Sequence, residues 1–185
     1  MPDIILETDR LILRTISSSD AELQYRLLNT TAVMDHLGGP KELHEIEAKH
    51  AKAISSFSRE GFGFMMMIEK PSGELVGHCG MKRVDNPLAP NIGDHEIGWL
   101  VREDRWRYGY ASEAMRAVID WAFERIGAPH IVAITSEANI PSWRFMEKLG
   151  MKRREDLDFT DPSFSERDNP AIQYSLTPAA WRQAQ

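Results

Sequence analysis

A single cysteine, Cys79, stands among the 185 residues, so no intrachain disulfide can form and nothing supports an oxidising compartment. No stretch approaches the roughly 18 apolar residues that a membrane-spanning helix requires. The opening Met1-Pro2-Asp3-Ile4-Ile5-Leu6-Glu7 has no basic segment and too short an apolar one for a secretory signal. A cytoplasmic location with no membrane partner is therefore expected. The six histidines show no HExxH or related zinc spacing, so no metal is expected. Repeats and low-complexity tracts are also lacking. The length suits one domain spanning residues 1–185.

Positive charge is in deficit: 22 basic residues against 28 acidic ones give a net charge of −6, which argues against broad nucleic-acid binding. The basic residues are nevertheless grouped. Arg102, Arg105 and Arg107 form one cluster, and Arg144, Lys148, Lys152, Arg153 and Arg154 another, while acids gather between Glu155 and Asp168. Local basic clusters in an acidic chain suit a small polyanionic ligand; ordinary solvated faces are the alternative. With 42% hydrophobic and 27% charged residues, the composition is that of a folded globular chain.

Patterning predicts a mixed α/β order, β-α-α-β-β-β-α-β-α-β-β. Arg10–Ile16 reads as the first strand. Ser19 and Glu22 form a capping-box pattern for a helix from Asp20 to Met34, which Gly38-Gly39-Pro40 would end. A second helix is expected from Glu42 to Arg59. Phe62–Glu69 and Leu75–Lys82 read as a hairpin turned at Pro71-Ser72-Gly73, and Glu96–Val101 as another strand. Between Gly109 and Ile126, Ala111, Ala114, Met115, Val118, Ile119, Ala122 and Phe123 recur at helical spacing. A strand over His130–Thr135 and a helix over Pro141–Leu149, stopped by Gly150, follow. Two closing strands are expected over Lys152–Phe159 and Ala171–Leu176. The run Met65-Met66-Met67 is read as strand packing.

Two stretches carry chemistry. In the first, the strand Glu96-Ile97-Gly98-Trp99-Leu100-Val101 is followed by a short turn and then by Trp106-Arg107-Tyr108-Gly109-Tyr110-Ala111-Ser112-Glu113-Ala114. The first amides of a helix lack partners and lie at the positive end of its dipole, so they can hold a phosphate. An ordinary helix start has the same look. In the second, Thr135 to Met151, Asn139 precedes Pro141 and Ser142 and can be either a ligand-binding residue or a plain N-cap. Cys79 has no base–orienter set beside it, which disfavours a covalent acyl-cysteine.

Together the two stretches resemble the GNAT acetyltransferase superfamily. Residues 106–114 resemble its pyrophosphate loop, and Asn139, Ser142 and Glu147-Lys148-Leu149-Gly150 its second CoA-binding motif. Glu7-Thr8-Asp9-Arg10-Leu11-Ile12-Leu13-Arg14, Gly38-Gly39-Pro40 and Tyr174–Trp181 resemble the branch that holds ribosomal-protein N-terminal acetyltransferases. The resemblance implies a central, mostly antiparallel sheet flanked by helices, with acetyl-CoA as cosubstrate. It implies a diphosphate cradle at Tyr108, Gly109, Tyr110, Ala111 and Ser112, with Arg102, Arg105 and Arg107 neutralising phosphate charge. The Leu100 and Val101 backbone would pair with pantetheine and polarise the thioester carbonyl, and Asn139 would hydrogen-bond the pantetheine arm. Trp106 departs from the Gln or Arg frequent at the start of the loop pattern.

Acyl transfer to an amine needs a proton acceptor, a donor for the oxyanion and a stabilised thiolate. Glu96 is the candidate base, as a glutamate at this strand position often is in the family; a structural role, or a water chain to another base, is the alternative. Met146 stands where many members have a tyrosine acid and cannot replace it, which leaves Ser142 or water. The acceptor is an amine on a protein N-terminus or a small molecule. The acidic segment 155–169 either attracts a cationic amine or is a solvated loop. A non-catalytic acyl-CoA sensor on the same fold is the competing function, and the chain is expected as a monomer or a homodimer.

Overall fold

A computed structural model describes residues 2–184. One eight-stranded sheet organises them, in the order β1-β2-β3-β4-β5-β6-β8-β7. The strands are β1 (Ile4–Glu7), β2 (Leu11–Thr15), β3 (Phe64–Glu69), β4 (Leu75–Arg83), β5 (His95–Val101), β6 (Ile131–Ser136), β7 (Lys152–Arg153) and β8 (Ala171–Leu176). The helices are α1 (Asp20–Leu28), α2 (Thr31–Met34), α3 (Leu43–Glu60), α4 (Tyr110–Glu124), α5 (Ile140–Lys148) and α6 (Pro178–Gln183). Every pairing is antiparallel except β5 with β6, which run parallel and pair at Glu96–Val132 alone. Mixed α/β architecture is thus as expected.

The sheet separates two apolar clusters. On one face, Leu11, Leu13, Met65, Met67, Cys79, Met81 and Ile97 pack under α4, whose Ala114, Met115, Val118, Ile119 and Ala122 are fully buried. Each larger side chain there stabilises the fold by about 1.5–3 kcal/mol. On the other, Met66, Ile16, Leu28 and Leu75 form a smaller cluster with Phe64 and Leu100. The alternation of Met65, Met66 and Met67 between the two clusters is the strand packing their run suggests. No helix among the described residues is long and apolar enough to cross a membrane.

Several local expectations are corrected. Ile4–Glu7, too short a run to read as a strand, pairs along β2. The helix expected from Asp20 to Met34 breaks after Leu28. The Asn29 side chain exchanges hydrogen bonds with the Lys41 backbone at 2.8 Å, and Thr30 accepts from the Val33 amide at 3.2 Å to cap α2. Side chains of this type compete with the helical ladder. Ser19 makes no capping bond; the Asp20 carboxylate instead accepts from the Ser17 amide and pairs with Arg14. The strand expected over Lys152–Phe159 ends at Arg153, where ion pairs Arg153–Asp158 and Arg154–Asp156 curl the chain into a 3-10 turn at Glu155–Leu157. α6 was not expected; Thr177 caps it, with Pro178 in its first turn.

Candidate active site

The parallel pair is the origin of the site. With only Glu96 opposite Val132, the remainder of β5 loses its neighbour on that side and a gap opens toward the carboxyl ends of the two strands. The Arg102 amide donates to the Val76 carbonyl at 2.9 Å, and the β4–β5 register runs unbroken from Gly77–Val101 to Arg83–His95. Antiparallel ladders alternate, so Leu100, Gly98 and Glu96 turn their backbone groups toward β4. Val101 and Trp99 turn theirs toward the gap. Of the two residues expected to pair with pantetheine, Val101 faces the gap and Leu100 is engaged by the sheet. The Trp106 indole N–H donates to the Val101 carbonyl at 2.8 Å, which leaves the Val101 amide as the available group.

A 3-10 turn, Glu103–Arg105, leads from β5 into residues 106–109 and α4. Gly109 takes a left-handed conformation, φ +83°, and gives α4 no side-chain cap. The first bond of this helix start is from the Glu113 amide to the Gly109 carbonyl at 3.0 Å. Among the described residues, no hydrogen-bond partner is found for the amides from Arg107 to Ser112. An uncapped run of amides at the amino end of a 15-residue helix has the hydrogen-bond donors and the dipole to hold an anion.

The three arginines expected around it differ. Arg102 pairs with Asp104 at 2.9 Å and Glu74 at 3.3 Å, and Arg105 with Glu74 at 2.8 Å. Arg107 is exposed, has no ion pair among the described residues and has a φ of +68°. Tyr108 is exposed, Tyr110 is buried, and their rings stack with centroids 6.1 Å apart. Ala111 and Ser112 are half-buried in the first turn.

Across the gap, Asn139 caps α5 by accepting from the Ser142 amide at 3.4 Å. This N-cap function uses its oxygen and leaves the amide NH₂ to donate. The Ser142 hydroxyl is half-buried and has no partner among the described residues. Trp99 of β5 meets Phe145 of α5 edge-on at 4.9 Å, so the two walls touch beneath the opening. Met146 is buried in the core.

Glu96 stands where β5 and β6 separate, its side chain 16% exposed and 3.2 Å from Lys82, directly across on β4. Burial raises its pKa and the Lys82 ammonium opposes that; the net effect is upward. Burial works against the Lys82 charge, but the Glu96 and Asp85 carboxylates outweigh it and hold its pKa above the ordinary lysine value. His78, on the same strand face opposite Leu100, is lowered by burial to about 4 and so is neutral near pH 7. Lys82 and His78 escaped sequence reasoning; the β4–β5 register places Lys82 opposite Glu96 and His78 opposite Leu100, four residues further along the strand. Cys79 points into the core with no exposure, and burial pushes its thiol up, which removes it as a nucleophile.

Three of the six acids of the segment 155–169 are held in ion pairs. Asp156 pairs with Arg154, Asp158 with Arg153, and Asp168 with Arg167 at 3.0 Å and His36 at 2.7 Å. Asp168 also accepts from the Ser136 hydroxyl at 2.9 Å, tying this segment to β6 and to the chain before α3. Among the described residues no group of three or more His, Cys, Asp or Glu is placed to hold a metal.

Comparison with known proteins gives the same picture. Residues 10–152 match the family model described as an acetyltransferase (GNAT) domain. Bacillus subtilis YoaA, described as an uncharacterized N-acetyltransferase, is 31% identical over 152 residues, covering 80% of this chain and 83% of its own. An Aspergillus fumigatus FsC-acetyl coenzyme A-N(2)-transacetylase is 26% identical, covering 97% of this chain and 79% of its own. Among solved structures, an acetyltransferase from Agrobacterium tumefaciens superposes with a TM-score of 0.74 at 28% identity, covering 92% of each chain. The ribosomal L7/L12 alpha-N-protein acetyltransferase RimL shares the fold, with a TM-score of 0.74 at 16% identity, covering 96% of this chain and 95% of its own. With the family model spanning most of the chain and a relative above 30% identity, this protein belongs to the GNAT acetyltransferases.

Proposed function

We propose that this acetyltransferase, as one domain, moves the acetyl group of acetyl-CoA directly onto a primary amine in a ternary complex. The acceptor is a protein N-terminus or a small-molecule amine. The observation that carries this reading is the junction of β5 and β6. One gap runs from Glu96 at its closed end, past the outward Val101 amide, to the uncapped amides of Arg107–Ser112. A thioester on an extended arm with a diphosphate at its far end has the shape and charge to fill it.

In that arrangement the amides at the start of α4 hold the diphosphate, Arg107 adds positive charge, and Asn139 donates to the arm. The Val101 amide stabilises the oxyanion that develops on the thioester carbonyl. Glu96, directly or through one water, takes the proton that the attacking amine loses; Lys82 opposes the rise in its pKa that burial brings. Ser142 is the candidate on α5 to protonate the leaving thiolate, which is itself a good leaving group.

The test is free-thiol release from acetyl-CoA against peptides with free N-termini, polyamines, amino sugars and amino acids. Amine-dependent release is expected for one of these classes. CoA binding with no release for any amine in the panel would replace this reading with an acyl-CoA sensor.

A further inference from the structure

Arg10, in the connection between β1 and β2, reaches the start of α4 although the sequence separates them by about a hundred residues. Its Nε donates to Glu113 Oε2 at 2.6 Å and its backbone N–H to Glu113 Oε1 at 2.8 Å. The Thr8 hydroxyl donates to the same carboxylate at 2.5 Å. Arg10 Nη1 donates to the Tyr108 carbonyl at 2.9 Å, and the guanidinium lies 4.7 Å from the centre of the Tyr110 ring. The Tyr110 hydroxyl in turn bonds Glu69 on β3. This network anchors the loop 106–109 to the sheet edge.

Two consequences follow for the helix start. The Tyr108 carbonyl and the Gly109 N–H belong to one planar trans peptide unit, so they point in opposite directions. Fixing the carbonyl on Arg10 aims the Gly109 N–H away from Arg10, among the amides left without partners. Secondly, Glu113 puts a negative charge in the first turn of α4, where it would repel an incoming phosphate. Three donors hold that carboxylate on the Arg10 side, and one of them is a guanidinium that cancels its charge. Together they hold the Glu113 pKa below its ordinary value against the effect of burial.

We propose that Arg10 is a positioning residue for diphosphate binding, acting through the Tyr108 carbonyl and Glu113 without touching the ligand. This rests on the acetyl-CoA reading above. Arg10 makes no bond to any part of the gap where the thioester would lie, so its influence is confined to the phosphate end.

The experiment compares wild type, Arg10→Met and Arg10→Lys in three measurements: CoA binding by calorimetry, and thiol release from acetyl-CoA and from S-acetylpantetheine. The last carries the same thioester without any phosphate. For Arg10→Met, CoA dissociation and the acetyl-CoA KM are expected to rise about tenfold, the equivalent of one well-placed hydrogen bond and its charge. Its kcat, and its turnover of S-acetylpantetheine, should stay within about twofold of wild type. Arg10→Lys keeps the charge but not the fork and should show a smaller rise of the same kind; it serves alone if Arg10→Met does not fold. Equal losses with both thioesters, or an unchanged CoA affinity in the lysine variant, would overturn the proposal. Failure of the wild type to bind CoA would instead overturn the acetyl-CoA reading itself.

Discussion

Glu96 and Lys82 face each other across the β4–β5 ladder, with carboxylate and ammonium 3.2 Å apart. Burial raises the Glu96 pKa and Lys82 restrains that rise. A base works when deprotonated, so kcat/KM should climb with pH along a limb set by Glu96, above the usual carboxylate range. Lys82→Met removes the restraint and should move the limb to higher pH. Glu96→Gln should abolish the limb and lower kcat/KM about 100-fold where the wild-type base is ionised, the two enzymes converging at acid pH. A pH–rate profile that survives unchanged in Glu96→Gln would remove this residue from the chemistry.

The strand that carries Glu96 and Val101 depends on a glycine opposite its end. A Cβ at Gly77 would sit 2.2 Å from the Leu100 carbonyl oxygen and 2.3 Å from the Met67 methyl. The methionine can move; the paired backbone cannot without parting β4 from β5. Gly77→Ala is expected to cost about 2–3 kcal/mol by urea denaturation and to reduce acetyl transfer in the fraction that folds. Gly98→Ala meets only the Phe64 ring, at 3.0 Å, and should cost less. Equal stabilities would show that the ladder adjusts freely there.

Much of this fold was legible because its signals are local. The period of Ala111, Ala114, Met115, Val118, Ile119 and Ala122 marks α4, and the apolar run through Met65-Met66-Met67, closed by the turn residues Pro71-Ser72-Gly73, marks β3. Glycines and a proline bound α3 and α5. The break after Leu28 was hidden because Asn29 is held by Lys41, a partner beyond the glycine turn. The shortened β7 follows from ion pairs within the segment expected to continue as a strand to Phe159. At the site, the helix-start amides and Asn139 were readable as motifs. Lys82 and the Arg10–Glu113 pair were not, since each depends on a strand register or a tertiary contact that spacing does not encode.

Asp168 joins the acidic segment to the rest of the protein. Burial alone would raise its pKa, but bonds with His36, Ser136, Arg167 and Ser165 hold it well below the ordinary carboxylate value. A depressed folded value means that its stabilisation is fully present above the unfolded pKa and is lost as pH falls toward the folded one. Asp168→Ala should therefore cost about 3 kcal/mol near neutral pH, with the gap to wild type narrowing in acid. Thermal unfolding at a series of pH values reads this directly. A gap that widened in acid would reverse the assigned sign.

Cys79 has no accessible surface and a thiol whose pKa burial has raised. Iodoacetamide should leave the native protein unlabelled and its acetyl transfer intact, with labelling appearing only as the protein unfolds in denaturant. Rapid labelling of the native state, accompanied by loss of activity, would reopen the acyl-cysteine route that the geometry closes.

Arg107 is the sole non-glycine residue with positive φ among the described residues, at +68°. For an L side chain this conformation costs about 1–2 kcal/mol, and it occurs where the loop 106–109 turns into α4. Arg107→Gly relieves that strain but adds about 0.5–1 kcal/mol of unfolded-state freedom. The apo protein should therefore be as stable as wild type or slightly more so. CoA affinity should nevertheless fall about tenfold, because a cation beside the diphosphate is gone, and its salt dependence should weaken with it. Arg107→Ala loses the same charge while keeping the strained backbone. Equal affinity losses in the two variants, with only the glycine form gaining stability, would assign the binding effect to charge. An alanine form that binds like wild type would show that Arg107 serves the loop through its backbone alone.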